Sequence, residues 1–176
     1  MAYTIDLSNQ VALVTGGIQG IGLGVCKTLA CAGASIAVCD ILSEDDPKTQ
    51  KGIGDIKKAG DVKVFYIKKD LAAQEQCYEV IDVLIEEFGR LDIFVANAGI
   101  TGKDNNWDAA YNVNVKSVYY CYEKAKQYLV QSQGRIVIMS TASVIRAVRV
   151  YRNISAPRAG LTRLRDTSPA NARRLA

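Results

Sequence analysis

The 176-residue sequence contains no histidine, three prolines, few aromatic residues (7%), and no apolar run approaching the length of a membrane span. Without histidine, the catalytic triads and dyads that rely on imidazole are excluded, and so is the usual mixed Cys/His zinc site. The longest apolar runs fall well short of the roughly 18 residues of a spanning helix. Residues 1–10 lack the basic-then-apolar order of a secretory signal. A cytoplasmic protein that does not engage a membrane is therefore expected. Cysteine is present but unpaired by pattern: Cys26, Cys31, Cys39, Cys77 and Cys121 are odd in number and scattered, with no C-x-x-C. That fits neither a disulfide framework nor a metal site, and buried small hydrophobes are the better reading.

Charge is missing in a second, regional sense. Residues 1–144 carry 12 Lys and 2 Arg against 17 acidic residues, a net of −3; residues 145–176 carry no Lys, 8 Arg and only Asp166, a net of +7. The overall +4 is thus an average of two unlike segments. At about 150 residues per domain the chain predicts one domain with a tail, here 1–144 and an Arg-rich irregular 145–176.

Within 11–140, short β-branched runs alternate with longer helical stretches. Strands are predicted at 11–15, 35–39, 62–67, 91–96 and 135–139, and helices at 20–32, 47–59, 73–88 and 107–131. In 73–88, Cys77, Val80, Ile81, Leu84, Ile85 and Phe88 fall at helical spacing and make one apolar stripe. Alternation of this kind implies right-handed βαβ units and a parallel sheet covered on both faces. The expected fold class is α/β, a parallel sheet of about five strands.

Directly after the first strand stands Thr15-Gly16-Gly17-Ile18-Gln19-Gly20-Ile21-Gly22, opening a helix. Gly16 allows a tight turn, Gly20 lets backbone N–H groups approach a pyrophosphate, and Gly22 lets helix and strand pack closely. Asp40 closes the second strand 18 residues beyond Gly22. A carboxylate there accepts from the adenosine ribose hydroxyls and repels a 2′-phosphate, which favours NAD over NADP.

These residues resemble the short-chain dehydrogenase/reductase family. Its T-G-x-x-x-G-I-G fingerprint is matched by Thr15 to Gly22, its N-A-G motif by Asn97-Ala98-Gly99, its adenine-contacting acid by Asp70 in Lys69-Asp70-Leu71, and its helix-four asparagine by Asn114. The resemblance implies a Rossmann-like doubly wound parallel sheet in the order 3-2-1-4-5, incomplete at its C-terminal edge, and hydride transfer between NAD or NADP and an alcohol or carbonyl substrate. It also implies a cofactor set of Gly16, Gln19, Gly20, Ile21, Gly22, Asp40, Asp70, Leu71, Asn97 and Gly99. Asn inside a helix is ordinarily just solvated; in the family, the backbone of the residue matching Asn114 helps hold a proton-relay water.

The family's catalytic half is less complete. A serine is expected near the end of the fifth strand; that position falls on Thr141, with Ser140 and Ser143 beside it, and the residues leave open which of the three serves. The Y-x-x-x-K pair, whose ammonium lowers the phenol's pKa from one helical turn away, has no intact match: Tyr151 is followed four residues later by Ser155. The candidate catalytic residues are Asn114, Thr141, Ser143 and Tyr151. Ile100 to Asn106 is also a short loop for the family. These departures suggest an altered or truncated C-terminus after about residue 144, a fifth strand left as a hydrophobic sheet edge, and doubt over family-type homo-oligomers. The alternatives are a non-catalytic dinucleotide-binding module and, from the +7 segment, a nucleic-acid arm; almost no aromatics accompany the arginines to stack on bases.

Overall fold

The computed structural model of the chain describes residues 5–101 and 106–141. The elements run β1 (Val11–Thr15), α1 (Gly20–Cys31), β2 (Ser35–Asp40), α2 (Pro47–Ala59), β3 (Val64–Lys68), α3 (Gln74–Phe88), β4 (Ile93–Ala96), α4 (Trp107–Tyr111), a π-helical turn (Asn112–Lys116), α5 (Ser117–Gln131) and β5 (Arg135–Ile138). All strand pairs are parallel, and the order is β3-β2-β1-β4-β5. The fold is therefore the parallel α/β sheet expected from the alternation, in the Rossmann-like order that the resemblance implies.

Strands covered on both faces read as continuous apolar runs because successive side chains enter different cores. In β1, Val11 and Leu13 pack with Ala37, Phe94 and the α3 stripe of Cys77, Val80, Ile81 and Leu84, together with Val118, Cys121 and Ala125 of α5. Ala12 and Val14 face the other way, into Ile36, Val38, Val95, and Cys26 and Ala30 of α1. At the edge, β5 is less protected: Val137 is 45% exposed, and among the described residues no strand lies beyond it.

The helix ends follow local chemistry. Asp46 caps α2 by accepting from Lys48 N at 2.8 Å, with Pro47 in the first turn and Lys57 and Lys58 in the last. Gly89 ends α3 in the left-handed region at φ 71° and donates its N–H to Ile85 O. Among the described residues no helix is long and apolar enough to cross a membrane.

Several boundaries depart from the pattern. The strand expected at 91–96 spans Ile93–Ala96; before it, Asp92 N donates to Val11 O and Asp92 O accepts from Arg135 N, while its Oδ2 accepts from Val11 N at 2.8 Å and its carboxylate takes both Arg90 Nε and Nη2. The strand expected at 62–67 begins at Val64, since Val62 N turns back to Gly60 O. Cys31 is exposed, against the reading of all five cysteines as buried; it is the last residue of α1, while Cys26, Cys39, Cys77 and Cys121 are buried. Burial pushes the Cys26 thiol up to about 12. The helix expected to run unbroken over 107–131 is interrupted by the π turn. The 145–176 segment and most of the loop after Thr101 lie outside the described residues.

Asp92 is buried at 4% exposure and serves three donors at the junction of β1 and β4. Truncation would strand the Val11 N–H without an acceptor. Asp92→Ala is expected to cost about 3 kcal/mol in urea unfolding, and a loss below about 1 kcal/mol would show that the junction does not depend on it.

Candidate functional site

The turn after β1 is built from two left-handed glycines, Gly16 at φ 65° and Gly20 at φ 58°, a region that other L-residues enter only with strain. A Cβ on Gly20 would stand in open space, whereas one on Gly22 would lie 2.1 Å from Gly16 O. Gly22 is thus needed for contact between the helix and its own preceding turn. At its N-terminus α1 has no side-chain cap from Gln19 and no acid in the first turn. Its first N–H groups and positive dipole end are chemically suited to an anion.

Asn97, just past β4, joins the turn to the rest of the sheet. Its Nδ2 donates to Thr15 O at 2.9 Å and Gly16 O at 3.0 Å. Thr15 Oγ1 in turn accepts from Asn97 N and Ala98 N and donates to Val95 O. At the end of β2, Gly16 N donates to Cys39 O, and Asp40 Oδ1 accepts from Ile41 N. Tyr66 Oη donates to Leu42 O at 2.7 Å and steadies the loop that follows; burial pushes this phenol up to about 12, so it keeps its donor proton. After β3, Asp70 Oδ1 accepts from Ala72 N and Asp70 N donates to Gln76 Oε1.

These strand ends enclose a cleft of about 390 Å³. Nine of the ten residues that the sequence assigns to a dinucleotide line it: Gly16, Gln19, Ile21, Gly22, Asp40, Asp70, Leu71, Asn97 and Gly99. Gly20 shapes the turn from outside the lining. A second cleft of about 210 Å³ shares Ile21, Asn97, Gly99 and Ile100 with the first and adds Met139, Ser140 and Thr141 at the end of β5. Ser140 and Thr141 therefore reach the same region as the N-A-G segment. Ser143 and Tyr151 lie outside the described residues.

Asn114 differs from a solvated helix asparagine. It is 1% exposed and sits in the π turn, where its Oδ1 accepts from Ile100 N at 2.8 Å and its Nδ2 donates to Ile100 O at 3.0 Å. An amide side chain satisfies a peptide group in this way only when it is held in plane beside it. Sequence reasoning also missed Cys39, Ile41, Lys69, Ala98, Ile100 and Val113 in the lining. All six are immediate neighbours in sequence of residues that the motifs name, and adjacency could have found them.

A family model described as short chain dehydrogenase matches residues 10–171. The 3-oxoacyl-[acyl-carrier-protein] reductase FabG of Staphylococcus epidermidis is 33% identical over 168 residues, covering 91% of this chain and 68% of that protein. Among solved structures, a putative short-chain alcohol dehydrogenase from Sinorhizobium meliloti 1021 superposes with a TM-score of 0.84 at 27% identity, over 93% of this chain and 67% of that one. A metagenomic short-chain oxidoreductase in complex with NADP gives 0.82 at 26% identity, over 96% and 78%. The chain spans about two thirds of the length of the first two.

Two glycines of α1 make a discriminating pair. Gly22→Ala is expected to destabilise by about 3 kcal/mol, because the methyl meets backbone that cannot yield. Gly24→Ala, two residues on in α1 with nothing within 4 Å, is expected to stabilise by up to about 1 kcal/mol. Thermal melts of the two variants check the contrast; equal effects would remove the close approach at Gly16 as the reason for glycine.

Proposed function

The chain belongs to the short-chain dehydrogenase family, and from that premise we propose that it transfers hydride between NAD and a small alcohol or carbonyl substrate. The observation that carries this reading is the convergence of nine sequence-selected positions on one cleft at the carboxyl ends of β1, β2, β3 and β4, the place where open α/β sheets bind ligands. When bound, the nicotinamide supplies the hydride acceptor or donor. Relatives named as reductases and dehydrogenases favour this over a non-catalytic dinucleotide-binding module.

In this reading residues 1–144 form the dinucleotide-binding unit, with 145–176 as a separate Arg-rich segment. The N–H groups of the first turn of α1 take the pyrophosphate and the glycine turn keeps side chains out of its way. Asp40 accepts from the adenosine ribose hydroxyls. Asp70 and Leu71 hold the adenine. Asn97 keeps the floor of the cleft fixed to the glycine turn. The hydroxyl of Thr141, which lines the second cleft with Ser140, polarises the substrate oxygen, with Ser143 as a further hydroxyl in the same stretch of sequence; the proton is assigned to Tyr151. The Asn114 backbone supports the proton relay.

NAD is preferred over NADP because Asp40 would face the 2′-phosphate as a like charge, with the acidic loop Glu44-Asp45-Asp46 following it. In fluorescence titrations NADH is expected to bind at least about tenfold more tightly than NADPH, and Asp40→Ser to narrow that gap by about tenfold. Equal affinities in the unaltered chain would overturn the preference.

Turnover over a panel of alcohols and carbonyls, run beside the Tyr151→Phe variant, tests the chemistry. Measurable turnover that drops by about a hundredfold or more in the variant supports the enzyme reading. Cofactor binding with no turnover in either version refutes it for this chain.

A further inference from the structure

The π turn at Asn112–Lys116 is served by one residue in an unusual way. An α turn would send the Ser117 N–H to Val113 O; here it reaches one residue further back, to Asn112 O. The Ser117 hydroxyl returns to the carbonyl its own amide has left, with Oγ donating to Val113 O at 2.5 Å. Ser117 is 4% exposed, so this hydroxyl has little access to water as an alternative partner. Val113 lines the first cleft. Asn114, the next residue, clamps both polar groups of the Ile100 backbone, and Ile100 lines both clefts.

We propose that Ser117 is a positioning residue for the candidate site: its hydroxyl holds the widened turn open, and the widened turn places Asn114 on Ile100. The downstream side of the turn is fixed, because Val118, Cys121 and Ala125 of α5 are buried in the core against α3. Collapse of the π turn to an α turn would therefore rotate the residues before it, by ~100° for the one residue removed. Asn114 would swing off Ile100, and the wall common to the two clefts would lose both of its bonds to the helix. A π turn inside an α-helix requires some such local compensation, and among the described residues Ser117 is the side chain seen to provide it at Val113 O.

The cofactor arm of the test rests on the proposed dinucleotide function; the exchange arm does not. Ser117→Ala is compared with Thr28→Ala, since Thr28 Oγ1 makes the same kind of bond, to Gly24 O at 2.9 Å, within the regular helix α1. Amide hydrogen exchange at Ile100 is measured by NMR on the cofactor-free chain, with NADH affinity measured separately. Ser117→Ala is expected to speed exchange at Ile100 about fivefold and to weaken NADH binding about threefold to tenfold, while Thr28→Ala changes neither. Exchange at Ile100 within about twofold of the unaltered chain in Ser117→Ala, or an equal change in Thr28→Ala, overturns the proposal. Failure of the unaltered chain to bind NADH would count against the dinucleotide reading and leave the exchange comparison to decide the role of Ser117.

Discussion

The arrangement rests on the hydrogen-bonded knot between Thr15 and Asn97. A parallel sheet fixes the directions of β1 and β4 but leaves the loops at their carboxyl ends unconstrained by ladder bonds. Here five hydrogen bonds close that gap: Thr15 Oγ1 with Asn97 N, Ala98 N and Val95 O, and Asn97 Nδ2 with Thr15 O and Gly16 O. Each partner is a backbone group at or beside the end of β1 or β4. A threonine is needed because a hydroxyl both accepts and donates, and an asparagine because its amide can give two hydrogens to neighbouring carbonyls. Gly22 then stacks on the carbonyl of Gly16 that Asn97 already holds. The orientation of α1 toward the cleft thus follows from the knot as much as from its own sequence.

The knot also explains how an apolar sheet supports a polar site. The inner strands are buried on both faces, and their side chains carry no chemistry. The polar side chains that line the clefts stand where each strand stops: Asp40 at the end of β2, Asp70 after β3, Asn97 after β4, Ser140 and Thr141 after β5. At the opposite end of the sheet the polar groups are structural, as with Asp92 holding Val11 N and Arg90. Stability and chemistry are separated along the strand axis, so changes at one end can be made without repacking the core.

Much of this was legible in the sequence, for identifiable reasons. Strand–helix alternation pointed to a parallel sheet, since right-handed crossovers leave few topologies, the family resemblance implied its order, and the glycine turn declared itself because Gly16 and Gly20 occupy conformations open to few other residues. What escaped was whatever does not repeat. The π turn inserts a single residue into a helix whose apolar period is otherwise regular, and periodicity over 107–131 is blind to it. Asn114 read as a helix asparagine of ordinary exposure because its partner, Ile100, lies 14 positions away and carries no polar side chain. Asp92 reads as a strand residue, and its backbone does bond to Val11 and Arg135; alternation carries no sign that its carboxylate also takes the Val11 N–H. Cys31 was grouped with its buried namesakes because residue type, unlike helix phase, does not report which face it occupies.

The shared wall between the two clefts has a consequence for how such a site can evolve. Ile21, Asn97, Gly99 and Ile100 face both spaces, so any shift in this segment alters the two clefts together. Asn97 is fixed from one side by the knot with β1, and Ile100 from the other by Asn114, leaving Gly99 between two anchored residues. An anchored segment of this kind resists side-chain substitution less than it resists displacement. Side-chain change is therefore easier at a lining position such as Ile41, whereas the residues that hold the wall are bound to their hydrogen-bonding chemistry. A helix turn widened by one residue is a direct way to bring an asparagine to Ile100 while α5 stays seated on α3 by its own apolar face.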